Sequence, residues 1–576
     1  MASPRTPRAT LFGRFLAFAR VPLLIALGFS IASNLLFLAL PIFTMQVYGR
    51  VIISQSIPSL LVLSIAALGA FSVSGIVEYL RGRLLFNLGA VFDEMTAKEV
   101  FDSAFQGAGR RDPAGQSRII RDVDVLRTAI SGPTLATLFD LPSIPLFLIA
   151  LAIVDPAVAA VTAMGAGALF TMAYFQDRLS RTEVQQGAEA GFRAQSFTDA
   201  TVRNTEAVFG MGMLPDLRQQ WIKHRERTIL SNSKSSRWST MFSIAIRTSR
   251  MLIQIIVVTV SAWLIINHAI SPSLLFVNMI LVSRTLQPVQ RLVGAYNGLI
   301  SAGQSYGRLN GALLAYERTR KPTELPRPKG QLAVDKVSYA PPGANALVLK
   351  SVSFRLEPGE AMGVVGPSGA GKSTLMRLLV GIWEPTGGKV RLDGHNVGHW
   401  ERSAFGRHVG YLPQDTELFA GTVSENISRF RPDTPAEMVI QAAKLAGAHK
   451  MILGLPKGYD TELVENGRNL ATGQRQRLGL ARAVFGRPSV VILDEPNASL
   501  DAEGEHALIR MLAAMKAKGV MVIIVSHRAS LFRVADKMLL LRDGMVEGFG
   551  PRQEMMHRLI PGAQQPPAEP SQAASA

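Results

Sequence analysis

The 576-residue chain is 48% hydrophobic and only 18% charged, carries a formal charge of +18 and contains no cysteine. That length suits two or more domains, and a mean hydropathy of +0.21 is too apolar for an ordinary soluble protein. The missing cysteine excludes disulfides, thiolate metal sites and cysteine nucleophiles, and the nine histidines show no metal-ligand spacing.

The N-terminus carries Arg5, Arg8, Arg14 and Arg20 without an acid, and no secretory cleavage site follows the first apolar run. Up to about residue 300, long apolar runs alternate with basic amphipathic stretches. A helix crosses a bilayer with about 20 apolar residues. Six runs qualify, at about 21–46, 57–80, 134–154, 156–176, 250–268 and 270–288; Arg284 and Gln287 interrupt the end of the last. The links after the first, third and fifth runs are short. Those after the second and fourth are long and basic, the fourth carrying arginines and lysines from Arg178 through Arg237. Basic flanks stay in the cytoplasm, so both termini and both long loops are expected inside. Much of the charge is then topological, and nucleic acid is not needed to explain it. Asp140, in "LFDLPSIPLFL", either faces a cavity or a partner at membrane depth or sits at the cytoplasmic interface. Pro142 and Pro145 are expected to kink that span.

These features divide the chain into a cytoplasmic N-terminal segment (1–20), a six-helix transmembrane domain (21–315), a basic, proline-rich linker (316–330), an α/β domain (331–560) and a disordered tail (561–576). No internal repeat is evident. In the α/β domain, "GPSGAGKST" holds Gly366, Pro367, Ser368, Gly369, Ala370, Gly371, Lys372, Ser373 and Thr374 between an apolar strand and a helix. Successive backbone N–H groups in such a loop close around phosphate oxygens, and the helix N-terminus faces them. Lys372 is placed to reach the β- and γ-phosphates, and the Ser373 hydroxyl to coordinate Mg²⁺. "SVVILDEP" supplies Asp494 as a second Mg²⁺ holder, through water, and Glu495 as the base or orienter of an attacking water.

Together these motifs make residues 330–550 resemble the nucleotide-binding domain of an ATP-binding cassette transporter. The resemblance assigns adenine stacking to Tyr339 and Mg²⁺ sensing to Gln414. It assigns a γ-phosphate contact to His527, a role in joining two ATP sites to Asp501, and contact with membrane-domain loops to the segment around Glu465. It implies a P-loop α/β domain fused to a six-helix membrane domain, with ATP and Mg²⁺ as cofactors and a second exporter subunit as partner. The first half resembles the type I protein-secretion exporters at "LALPIFTMQVYGRVI", "SGPTLATLFDLPSIPLFLIAL" and "EAVFGMGMLPDLRQQW". That branch implies an inner-membrane ATPase working with a periplasmic adaptor, an outer-membrane channel and an unfolded protein substrate. An exporter of lipids or small molecules is the alternative. A short N-terminus without cysteine also leads us to expect no fused cysteine-peptidase domain.

One motif departs from the family. Where the usual signature reads LSGGQ, this chain has "LATGQ", with Ala471, Thr472, Gly473 and Gln474. In the family this element completes the ATP site of the opposite subunit. Ala471 lacks the serine hydroxyl, and Thr472 sets a branched side chain where glycine lets the backbone approach. The resemblance leaves two arrangements: a homodimer with two slowed sites, which is favoured, or a heterodimer with one impaired site. A regulatory, non-transporting subunit is disfavoured by the intact Glu495.

Overall fold

The computed structural model describes residues 11–106, 113–318, 325–341, 343–344 and 346–559. The chain divides into two compact units, Met1–Arg318 and Thr319–Ala576. The tail expected to be disordered at 561–576 and the first ten residues lie outside the described residues, as does part of the linker, 319–324.

The described residues of the first unit are helical apart from short turns. Among them, five helical segments are long and apolar enough to cross a membrane: Phe12–Ser54, Ile57–Phe105, Pro133–Val154, Pro156–Arg203 and Leu214–Ile266. They contain the first five apolar runs read from the sequence. The sixth run opens the helix Ser273–Arg318, which is not among those five. Its apolarity is broken by groups used inside the unit. Asn278 donates to the Ser261 hydroxyl, and Arg284 lies 3.8 Å above the Phe37 ring while donating to Gln287. Helix limits also differ from the expected ones. The first helix begins at Leu11, inside the segment assigned to the N-terminus. The last continues through Arg318, so residues 316–318 belong to it and not to the linker.

The third span is broken once. Helix Pro133–Asp140 stops at Leu141 and Pro142, and Ser143–Val154 resumes. Pro145 falls in the first turn of the second piece, where no N–H partner is needed, so Pro142 alone marks the break. Asp140 ends the first piece and is 7% exposed. Its Oδ1 accepts from Arg81 Nη1 at 2.7 Å and from Ser30 Oγ at 2.9 Å, and its Oδ2 accepts from Arg291 Nη1 at 3.0 Å. Asp140 is thus partnered within the unit. One carboxylate thus joins the first, second, third and last helical segments. Below it, Asp122 is clamped by Arg308 through two bonds of 2.8 and 2.6 Å and by Ser305.

The second unit is built on two main sheets, with a short pair, Gly421–Thr422 and Glu462–Leu463, beside them. The larger runs in the order Met545–Pro551, Lys537–Arg542, Ala361–Val365, Met521–Val525, Val490–Asp494, Val409–Leu412, with the first strand antiparallel and the other neighbours parallel. Strands Val490–Asp494 and Met521–Val525 are buried along their whole length, which explains their unbroken apolar sequence. The smaller antiparallel sheet has the order Leu349–Leu356, Leu332–Tyr339, Gly387–Leu392, His395–Asn396. A helical part, including Ala436–Leu445 and Thr472–Val484, packs a separate core with Leu478, Phe485 and Leu512.

Removing one partner from a buried ion pair leaves the other charge uncompensated, at a cost of about 3–5 kcal/mol. Asp140→Ala is therefore expected to lower the melting temperature of the full chain in detergent sharply. Asp124→Ala, which removes only an exposed pair with Arg127, serves as the control and should change it little.

Candidate active site

The parallel strands end on one edge, and the loops leaving them carry the chemistry, as the crevice at the carboxyl ends of such strands requires. Strand Ala361–Val365 runs into the glycine-rich loop, and helix Lys372–Leu379 follows. Gly371 enters that helix at φ +94, and a Cβ there would stand 2.7 Å from Leu349 Cδ2. Only glycine satisfies both demands. Lys372 is buried to 7% exposure, its Nζ donating to the carbonyls of Gly366 at 2.8 Å and Pro367 at 2.9 Å. Pro367, Ser368 and Gly369 form the exposed outer part of the loop, whereas Ala370 is buried; Ser373 and Thr374 are half-buried in the first helical turn.

Asp494 closes the next strand but one and is 1% exposed. The Ser373 hydroxyl lies close enough to act on its carboxylate, while Oδ1 has no partner among the described residues. Burial pushes the Asp494 carboxyl above the usual carboxylate range, against the opposing bond from Ser373. Glu495 follows at φ +50, a left-handed conformation that strains a non-glycine residue. Its N–H donates to the Val525 carbonyl at 3.0 Å, and its Oε1 lies 3.5 Å from His527 Nε2. Because Val525 is level with Asp494 across the sheet, His527 emerges level with the residue just after Glu495. Leu412 pairs with Leu493 on the other side, which puts Gln414 level with Glu495, in an exposed bend.

Lys372, Ser373, Asp494, Glu495 and His527 are thus brought to one edge, with Gln414 beside them. Other expected residues stand apart. Tyr339 is buried against Trp383. Ala471 and Thr472 open the helix Thr472–Val484. The Gln474 side chain accepts from the Ala471 N–H at 3.0 Å, half of a capping box whose other half alanine cannot supply. Thr472 Oγ1 accepts from Arg475 at 3.2 Å, and Gly473 is half-buried behind it. Asp501 caps helix Ala502–Ala517 through the Gly504 N–H and accepts from Arg477 at 2.6 Å. That pair ties the helix after Ala471 to the loop after Glu495. The Glu465 side chain lies outside the described residues. Sequence reasoning missed Trp383, Arg477 and the two arginines on Asp140. None belongs to a motif, and each is found through a partner far away in the chain.

Two family models match: "ABC transporter" over residues 349–498 and "ABC transporter transmembrane region" over 23–289. The type I secretion system ATP-binding protein PrsD of Rhizobium meliloti is 37% identical over 538 residues, 93% of this chain and 92% of that protein. The chain belongs to the ABC transporter family. The cyclolysin secretion/processing ATP-binding protein CyaB of Bordetella pertussis is 28% identical over 92% of this chain and 75% of its own length. Among solved structures, a bacterial Atm1-family ABC exporter with ATP bound shares the fold, with a TM-score of 0.80 at 21% identity, covering 94% of this chain and 97% of that one. This exporter is a multi-pass membrane protein whose second unit is an ATPase coupled to transport.

A carboxyl whose folded value is raised costs stability as pH climbs through the ordinary carboxylate range towards that raised value. At neutral pH the uncharged Asp494→Asn should then melt at a higher temperature than the parent chain when no nucleotide is present. A thermal ramp in detergent checks this, and an equal or lower melting temperature would count against a strained charge at this position.

Proposed function

We propose that this exporter drives one-step protein secretion from the cytoplasm across a bacterial inner membrane, as a dimer with both termini in the cytoplasm. The observation that carries the reading is the intact set Lys372, Asp494, Glu495 and His527 at one sheet edge, in a chain 37% identical to PrsD over nearly its full length. Its partners are a periplasmic adaptor, an outer-membrane channel, an unfolded polypeptide substrate and the surrounding lipid.

The site suits a triphosphate with Mg²⁺. The unpartnered buried Oδ1 of Asp494, the Ser373 hydroxyl beside it and the carboxamide of Gln414 form a hard oxygen donor set of the kind Mg²⁺ takes. Bound there, Mg²⁺ neutralises charge on the β- and γ-phosphates. Lys372 exchanges the two loop carbonyls that now hold it for phosphate oxygens, and the exposed loop backbone from Pro367 to Gly369 wraps the same group. Glu495 takes the proton of the attacking water, its position fixed by the Val525 bond and its strained backbone. His527, 57% exposed at the side chain, orients the γ-phosphate and holds Glu495 in place.

The signature residues Ala471 to Gln474 act on the partner's site. There the helix N-terminus keeps its attraction for an anion, but the missing hydroxyl weakens it. This also gives a heterodimer its one supporting observation, since a second chain with an ordinary signature would complete the intact catalytic face of this one.

Steady-state ATP hydrolysis by the purified chain in lipid nanodiscs tests the reading. Glu495→Gln is expected to reduce turnover by about 100-fold or more. Ala471→Ser restores one hydrogen bond to a charged group and is expected to raise turnover by up to about 150-fold. A parent chain that is silent until co-expressed with a second exporter chain would favour the heterodimer, and unchanged turnover in Glu495→Gln would remove the catalytic assignment.

A further inference from the structure

Helix Ser273–Arg318 carries Arg284, Arg291, Arg308 and Arg318 but a single acid, Glu317, next to its end. Its apolar face, with Val277, Leu281 and Val289, packs into the core of the unit. The opposite face is polar. Arg284, Gln287, Arg291, Gly294, Gly298 and Ser301 follow at intervals of three and four residues, which sets them on one side of the helix. The first two are half-buried and the other four exposed.

Arg284 differs from the other cations near it. It lies about 16 Å along the helix from Ser273, inside a hydrocarbon layer of about 30 Å. Its guanidinium is seated 3.8 Å over the Phe37 ring, and Phe37 meets Phe71 and Phe147 edge-on, with ring centres 5.9 and 6.4 Å away. Nη1 donates to Gln287 at 2.8 Å, and the buried Nε has no partner among the described residues. Arg81 and Arg291 share the Asp140 carboxylate. Arg284 makes no ion pair among the described residues. A ring face and an amide offset only part of the cost of holding a charge out of water. An ionised side chain kept at membrane depth marks the path of what crosses, and the polar side on which Arg284 stands does not suit lipid tails.

We propose that Arg284 pairs with carboxylate side chains of the transported polypeptide, so that acidic segments are favoured for passage. The guanidinium swings off the Phe37 ring, and its Nε and Nη2 grip the carboxylate as those of Arg308 grip Asp122 in this chain. This rests on the polypeptide reading given above and deepens it by naming the class of substrate.

The test is ATP turnover by the full chain in nanodiscs of uncharged lipid. It is titrated with three unfolded polypeptides of equal length, rich in glutamate, serine or lysine. The parent is expected to respond to the glutamate-rich polypeptide at the lowest concentration. Losing a hydrogen bond to a charged group in Arg284→Gln should raise the concentration needed for that polypeptide by about 10- to 150-fold and leave the serine-rich one unchanged. Arg284→Lys keeps the charge without the two-point grip, so it should weaken the glutamate response less, and it serves where Arg284→Gln does not fold. A parent that answers all three polypeptides alike overturns the proposal and leaves the polypeptide reading standing. So does an Arg284→Gln chain that keeps the acidic preference or loses the glutamate and serine responses equally. A parent indifferent to all three overturns the polypeptide reading, and this proposal with it.

Discussion

A carboxylate oxygen with no partner, buried at the end of a central strand, is the constraint around which the ATPase unit is organised. Asp494 could be a hydrophobic residue if stability alone mattered, since its surroundings disfavour its charge. The sheet holds it there because strand Val490–Asp494 is buried on both faces and cannot shift register without exposing apolar side chains. Every other element of the site takes its position from that strand. Glu495 is next in the chain, and the neighbouring strands deliver His527 and Gln414 level with it. The phosphate-loop helix brings Ser373 against its carboxylate. A cation beside the buried Asp494 carboxylate would satisfy the oxygen that has no partner among the described residues.

The membrane unit solves the same electrostatic problem in the opposite way. Asp140 is also buried, but three donors from three other helical segments satisfy it. Arg81 is itself only 8% exposed, so neither charge can be removed alone without leaving the other unpaired. Asp140 fixes helices relative to one another, whereas the Asp494 oxygen that is unpartnered among the described residues is one that the cation proposed above would satisfy.

Much of this was legible in the sequence. The glycine-rich loop, the apolar strand before Asp494 and the six apolar runs each announce their structure through a short, local pattern. The sixth run is harder to read because Asn278, Arg284 and Gln287 serve contacts inside the unit, and those contacts are invisible to a hydropathy count. Helix covers Leu11 and Arg318, beyond the limits expected for the membrane domain, because basic residues are compatible with a helix that leaves the membrane. Asp140 could be noticed but not resolved, since Arg81 and Arg291 lie 59 and 151 residues away. Tyr339 was legible as an aromatic residue in the right place, but its burial under Trp383 depends on a helix stop more than 40 residues later in the chain, at Gly381.

In the function proposed above, hydrolysis at this site is harnessed to the movement of a polypeptide. ATP turnover by the full chain in lipid nanodiscs decides this, measured while an unfolded polypeptide is titrated in, beside the same polypeptide folded and beside lipid or small amphiphiles. The account predicts that turnover responds to the unfolded polypeptide and not to its folded form. Turnover that responds to lipids or amphiphiles and is indifferent to the polypeptide would contradict it.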